Sequence, residues 1–438
     1  MSDVTETRHG PGGAPAARKV MGAVLVFSEN PSEQVPRGFE LAAACRIGRD
    51  TTAEIPINDT QASRLHASLT PSPGGVHVAD LGSRNGTWVN GARLSSHGAF
   101  APVGAMVRCG RSLLRIVDDV APFEVRAPSG FESLVGGPAM GAVRELIRTI
   151  APLPHSVLLL GETGTGKEVV AGALHAASGR RGELVSVNCG AMPAELVESE
   201  LFGHARGAFS GSDRQRTGLF RAADRGTLLL DELGELPLAA QAKLLRAMEQ
   251  HEVRPVGEDR PIPVDVRVIG ATNVNLEQAV AKGAFRADLF HRIAVWQIPL
   301  PALRERIEDV PLLAKHFLAD EPVTFSVEAM EKLMLCSWPG NVRELRNAVT
   351  TAAARARAAR RSAIGVEQLP AIRPAAPAPR TTATDVETAA LRARIETALA
   401  LRDGNVSHVA KDLGCTRPWL YLTLKRLHID AAAFRKGK

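Results

Sequence analysis

No run of about 18 consecutive apolar residues occurs in the 438 residues, which speaks against a membrane-spanning helix. The first 19 residues are polar and rich in Gly, Pro and Ala, and they lack the apolar core of a secretory signal. Cysteine is scarce: Cys45, Cys109, Cys189, Cys336 and Cys415 are scattered, with no CxxC pair. That pattern argues against a disulfide framework or a structural zinc site and points to a reducing, cytoplasmic setting. No internal repeat is found, and charge is not extreme. With 23% charged and 45% hydrophobic residues, the composition excludes a wholly disordered or collagen-like chain. The length suggests about three folded units. The net charge of +6 is unevenly placed, because Val386 to Lys438 holds ten Lys and Arg against five Asp and Glu. A basic end is the electrostatic footprint of nucleic-acid binding, but a solvated helical face carries the same charge, so charge alone leaves both readings open.

The chain is expected to be multidomain. Residues 1–19 read as a flexible tail. Residues 20–119 carry short β-type runs at 23–27, 75–79, 106–109 and 113–117, separated by turn signals such as Asn85-Gly86 and Asn90-Gly91, which predict an all-β sandwich or barrel. A loose segment, 120–130, follows. Residues 131–301 alternate amphipathic helices with buried strands at 157–160, 228–230 and 266–269, the α/β pattern of a largely parallel sheet. After Pro301 the strands are expected to stop, leaving a helical subdomain over 302–369. Residues 370–385 are Pro/Ala-rich and predict a semi-rigid linker. Residues 386–438 read as all-helical.

The strongest chemistry lies in the middle. Gly161, Glu162, Thr163, Gly164, Thr165, Gly166, Lys167 and Glu168 follow an apolar strand and precede a helix. Strand, glycine-rich loop and helix are the context of a nucleotide P-loop. Its backbone N–H groups would wrap the β-phosphate, the helix dipole would favour the anion, and Lys167 would reach the β- and γ-oxygens. The generic loop ends in Ser or Thr, so Glu168 removes the usual hydroxyl ligand to Mg²⁺. Further on, Leu228 to Leu230 form a buried strand that ends in Asp231 and Glu232. There Asp231 is placed to hold Mg²⁺, directly or through water, and Glu232 to polarise the attacking water. Two solvated acids at a strand end are the alternative, and the P-loop upstream in the same α/β unit counts against it.

These motifs, with others in order, make the block from Phe131 to about Gly365 resemble the AAA+ domain of bacterial enhancer-binding proteins, the activators of sigma-54 RNA polymerase. In that family the P-loop reads GETGTGKE, so the resemblance accounts for Glu168. It also implies roles for other residues. Asn188 matches the residue that switches the catalytic glutamate, Asn273 matches sensor I, and Arg343 matches the sensor II arginine. Arg286 and Arg292 match arginines supplied in trans to a neighbouring subunit's nucleotide. A guanidinium delivered as charge develops on the phosphoryl oxygens is worth roughly 10³–10⁵ in rate. Gly207, Ala208, Phe209, Ser210, Gly211 and Ser212 match the family's GAFTGA loop, which touches sigma-54. Here Ser210 loses a methyl and Ser212 gains a hydroxyl, while the apolar Phe209 is kept.

Two more resemblances lie at the ends. Ile47-Gly-Arg49, Ser63-Arg64-Leu-His66 and Asp80 to Gly91 resemble a forkhead-associated (FHA) domain, a phosphothreonine-binding β-sandwich. The match implies Arg49, Ser63 and Arg64 on the phosphate and Arg84 and Asn85 on the peptide backbone beside it, with His66 as a structural brace. A degenerate FHA fold that binds no phosphate is the alternative. At the other end, Asn405 to Gly414 and Arg417 to Leu427 read as two helices around a short turn, with Thr416 as cap, Pro418 in the first turn and Leu420, Leu424 and Leu427 as a buried stripe. This resembles the Fis-type helix-turn-helix of many enhancer-binding proteins. Trp419, Leu422 and Thr423 replace the usual Thr, Arg and Lys, so Arg417, Lys425 and Arg426 are the DNA-contact candidates. A hairpin used only for dimerisation remains the alternative.

Taken together, the resemblances imply an ATP- and Mg²⁺-dependent activator with upstream DNA, sigma-54 holoenzyme and a phosphothreonine protein or peptide as partners. It would assemble with itself from a dimer to a hexamer or heptamer and would have no membrane contact. A DNA-binding regulator without productive sigma-54 contact and a protein-remodelling AAA+ ATPase are the competing readings.

Overall fold

The computed structural model describes residues 19–124, 131, 133–207, 215–319 and 321–374, and in the C-terminal part 395, 398–399, 402, 405–412, 420, 423–424 and 429. The chain divides into two compact units, residues 126–376 and the remainder.

The N-terminal part is a β-sandwich. One sheet orders Arg37–Glu40, Gly22–Ser28, Ser112–Val117, Met106–Cys109, Thr87–Val89 and Ala92–Arg93, and the other orders Ile55–Pro56, Cys45–Gly48, Ala67–Ser72, Gly75–Asp80 and Ala99–Pro102. Leu25, Ile47, Leu69, Val76, Val107 and Leu114 fill the space between them. The four strands expected from sequence are present, and seven others, most of them of four residues or fewer, accompany them. The segment expected to be loose after the sandwich begins with a single helical turn, Ala121–Glu124.

Residues 126–376 contain a five-stranded parallel sheet in the spatial order Leu184–Asn188, Thr227–Asp231, Arg267–Thr272, Val157–Leu160, Trp296–Pro299. The first strand in the sequence, Val157–Leu160, thus sits between the fourth and fifth. Its apolar run is buried, as a strand flanked on both sides by neighbours requires. Helix Pro138–Ile150 covers the sheet with Met140, Val143, Ile147 and Ile150, and Pro138 opens it at the position where a missing N–H costs least.

Beyond the sheet lie helices Asp309–Phe317, Val327–Met334 and Asn341–Ala358. The expectation that strands end at Pro301 needs one correction. Thr324–Phe325 and Ala363–Ile364 pair in parallel, two residues each, too short to leave a period-two pattern in the sequence. Near the C-terminus, helix Val406–Asp412 and the buried Ile395, Leu399, Val409, Leu420 and Leu424 form a small apolar cluster.

Candidate functional site: a phosphate cradle at a sheet edge

The crevice outside the carboxyl ends of the parallel strands collects the predicted residues. In open α/β sheets this is where ligands bind, at the point where strand order reverses. Val157–Leu160 runs into the glycine-rich loop, Thr227–Asp231 delivers Asp231 and Glu232, and Arg267–Thr272 delivers Asn273. Asn188 ends the edge strand and lies in register with Asp231.

The loop has the shape of an anion cradle. Gly166 caps helix Lys167–Ala177 at φ +106°, a conformation open to glycine, and no atom lies within 4 Å of where a Cβ would stand. Room is therefore left in front of the helix N-terminus, where backbone N–H groups and the helix dipole favour an anion. Lys167 is only 8% exposed, and its Nζ donates to the carbonyls of Gly161 (2.9 Å) and Glu162 (3.1 Å). Burial pushes its pKa down, while the carboxylates of Asp231 and Glu232 pull it back up. A buried cation whose hydrogen bonds go to neutral carbonyls fits a phosphate ligand well.

Glu232 occupies left-handed backbone at φ 53°, uncommon for a residue with a long side chain, and its N–H donates to Asp231 Oδ1 at 3.0 Å. This turn aims the Glu232 carboxylate across Gly190, where a Cβ would stand 2.4 Å from Oε2 and 3.4 Å from Asn188 Oδ1. Asn188 Oδ1 itself accepts from the N–H of Ala191. Asn273 Nδ2 donates to Thr163 Oγ1 at 3.2 Å, tying the third motif to the loop. Among the described residues no cluster of three or more His, Cys, Asp or Glu side chains could hold a metal ion by itself. Glu168 is exposed in the first helical turn.

Arg343 lies at the start of helix Asn341–Ala358, and its charge reaches Lys167. Arg286 and Arg292 are exposed on and beside helix Ala287–Ile293, away from a role within the loop itself. The first pairs with Asp288 at 2.7 Å, and the second donates to the Met248 carbonyl. Gly207 is described, whereas Ala208, Phe209, Ser210, Gly211 and Ser212 lie outside the described residues. The root of that loop is well built. Gly203–His204 pairs antiparallel with Arg216–Thr217, and Ala205 N donates to Val256 O at 2.9 Å. The buried His204 meets Ser199 Oγ at 2.6 Å.

Several residues to which the sequence assigned no role join this site. Asn341, Arg304 and Arg306, all beyond Pro301, reach the P-loop, and Gly190 holds the space beside Glu232. They contact the loop across more than 140 residues of sequence, so no spacing in the motif itself could announce them.

A second candidate site lies on the sandwich. Arg49 N donates to Ser63 O, Arg84 N to Ser63 Oγ at 3.1 Å, and Asn85 Nδ2 to Gln61 O at 2.7 Å. His66 is wholly buried: Nδ1 accepts from Ser63 N, and Nε2 donates to Gly86 O, which fixes the tautomer. Burial lowers its pKa, so it stays neutral and acts as the expected brace. The guanidinium groups of Arg49, Arg64 and Arg84 are exposed, and among the described residues no hydrogen bond or ion pair takes them up. Exposed arginines on the loops beside Ser63 suit a phosphate. Arg417, Lys425 and Arg426 lie outside the described residues, as do Thr416, Pro418, Trp419 and Leu422.

Comparison with known proteins identifies the domains in which the two candidate sites lie. Residues 134–299 match the model of the sigma-54 interaction domain, residues 304–385 that of the AAA+ ATPase lid domain, and residues 45–106 that of the FHA domain. The chain is 41% identical over 339 residues to the transcriptional regulatory protein GlrR of Escherichia coli K12, covering 74% of this chain and 75% of that one. It is likewise 41% identical over 411 residues to the nitric oxide reductase transcription regulator NorR1 of Cupriavidus necator, covering 85% and 79%. Among solved structures it is similar to NtrX from Brucella abortus in complex with ATP. That match has 33% identity and a TM-score of 0.51, covering 67% of this chain and 69% of that one. Among the described residues no helix is long and apolar enough to cross a membrane.

Proposed function

The chain belongs to the family of sigma-54-dependent transcriptional regulators, with an FHA domain ahead of an AAA+ ATPase domain, and from that premise we propose how its residues divide the work. ATP with Mg²⁺, when bound, supplies the phosphoryl group whose transfer to water releases the driving free energy. On the protein side, Lys167 gives up its two carbonyl partners and neutralises phosphate charge. The N–H groups from Thr163 to Lys167 hold phosphate oxygens. Asp231 holds the metal, Glu232 orients water and takes up its proton, and Asn188 controls where the Glu232 carboxylate points. Asn273 and Arg343 report the state of the site to the rest of the domain.

Arg286 and Arg292 are exposed, which suits delivery to a neighbouring protomer's site in a ring. The hairpin rooted at 203–204 and 216–217 would carry the 207–212 loop against sigma-54. Arg49, Ser63 and Arg64 would bind phosphothreonine, with Arg84 and Asn85 on the flanking peptide. Residues 386–438 would form the helix-turn-helix that holds the protein on upstream DNA, through Arg417, Lys425 and Arg426. The reading rests most heavily on one observation: the cradle, the Asp231–Glu232 pair and Asn273 converge at one sheet edge inside the residues that match the sigma-54 interaction domain.

Delivery of an arginine in trans has a direct test. Arg286→Ala keeps its own cradle but offers nothing to its neighbour, whereas Lys167→Ala loses its cradle but still offers Arg286. Each alone should hydrolyse ATP at less than about a hundredth of the wild-type rate. Mixed together, the two inactive proteins should recover turnover. A mixture that stays inactive at every ratio would place the arginine in its own protomer's site or remove it from the mechanism.

A further inference from the structure

The carbonyls of the P-loop are held by the subdomain that follows Pro301. Thr163 O accepts from Asn341 Nδ2 at 3.1 Å. Gly164 O accepts from the backbone N–H groups of Val342 (2.9 Å) and Arg343 (3.3 Å). Thr165 O accepts from Arg306 Nη2 at 2.9 Å. Three successive carbonyls thus point toward the lid. Because a trans peptide sets its N–H opposite its C=O, the N–H groups of Gly164, Thr165 and Gly166 turn away from the lid, that of Thr165 donating to Glu162 O at 3.4 Å.

Asn341 is the centre of this arrangement. It is completely buried, and its φ of 52° is a left-handed value that asparagine tolerates and most residues do not. Its Oδ1 accepts from Leu303 N at 2.8 Å, and its Nδ2 donates both to Thr163 O and to Glu162 Oε2 at 3.1 Å. Glu162 is also gripped by Arg304 through two hydrogen bonds, of 2.6 and 2.7 Å. Arg304 and then Asn341 hold the Glu162 carboxyl down at about 2, so it is ionised throughout the physiological range. Gly164, at φ +81°, admits no side chain, because a Cβ there would stand 2.4 Å from Gly340 O.

We propose that Asn341 is a positioning residue of the ATPase. Through it, with Arg306 and the Glu162–Arg304 pair in support, the lid sets the P-loop into its phosphate-binding shape before nucleotide arrives. The grip of the cradle then depends on the lid's position, since a lid that swings away removes the donors from all three carbonyls. This rests on reading the loop as the nucleotide site, and the test separates the two ideas.

Full-length protein carrying Asn341→Gly tolerates the backbone conformation and loses only the side chain. Asn341→Asp keeps the acceptor for Leu303 N, loses both donated bonds, and sets one carboxylate against another. In each, ADP affinity measured by fluorescence of a labelled ADP should fall about tenfold, or about 1.4 kcal/mol. Amide hydrogen exchange across 163–167 in nucleotide-free protein should accelerate by a similar factor. KM for ATP should rise more than kcat falls, as loss of uniform binding requires. Adding Glu162→Gln to Asn341→Asp should recover part of the affinity, because the new amide can donate to the new carboxylate. Arg304→Gln, on the surface, should give a smaller effect of the same sign, and it carries the test if the buried variants fail to fold. Unchanged ADP affinity and unchanged exchange in folded variants would overturn the proposal. Wild-type protein that binds no ADP would instead overturn the nucleotide site itself.

Discussion

Glu232 is held in an orientation that its own backbone does not favour. Left-handed backbone at a residue with a full side chain costs of order 1–3 kcal/mol, and it persists here because the strand end and the Asp231 hydrogen bond dictate it. The carboxylate then fills the space over Gly190, so glycine at 190 is a condition of the site's geometry. The clash a Cβ would make is with the far end of a flexible side chain, which can move aside without disturbing the fold. Gly190→Ala should therefore displace the carboxylate and lower kcat by about 10- to 100-fold with KM for ATP nearly unchanged. Thermal unfolding should shift by no more than about 2 °C. Loss of stability with kcat preserved would show that Gly190 serves packing alone. At this scale much of the site was legible in the sequence. Strand, glycine loop and strand-end acids are each local, and the structure brings them to one edge. Asn341 and Arg306 were not legible as loop partners. Their part depends on contacts across 179 and 141 residues, which no motif spacing encodes.

Among the elements, legibility followed position in the sheet. Strands 157–160, 227–231 and 267–272 have neighbours on both sides and stood out as apolar runs. The edge strands Leu184–Asn188 and Trp296–Pro299 alternate with polar or exposed positions and went unpredicted. Most of the missed sandwich strands span four residues or fewer, too short for a clear period. The joint between sheet and lid was also invisible. Helix Asp309–Phe317 begins with a buried carboxylate that accepts from Gly137 N at 2.6 Å and lies 3.6 Å from Arg306, both side chains being almost wholly buried. Arg306 therefore serves two elements at once, the P-loop carbonyl and the Asp309 charge. Arg306→Met would remove one of the two guanidinium charges that steady Asp309 in the interior, the other being Arg144, at a cost of up to about 3–5 kcal/mol. Calorimetric unfolding should show a large loss confined to the transition of residues 126–376. A transition unmoved by the substitution would mean that the pair contributes nothing to that joint.

On the scale of the whole molecule, the order of parts gives the account its content. Exposed arginines on the sandwich suit a phosphorylated ligand, the central cradle suits a nucleotide, and the basic C-terminal segment suits DNA. The sandwich and the ATPase were legible because several weak motifs occur in order, each improbable and all consistent. The central claim is that ATP hydrolysis at Glu232 drives opening of a sigma-54 promoter. Its most direct test is permanganate reactivity of promoter bases with purified protein, sigma-54 holoenzyme and ATP, in the presence and absence of phosphothreonine peptide. The account predicts ATP-dependent reactivity near the start site that disappears with Glu232→Gln. Brisk ATP hydrolysis with no reactive bases under either condition would contradict it.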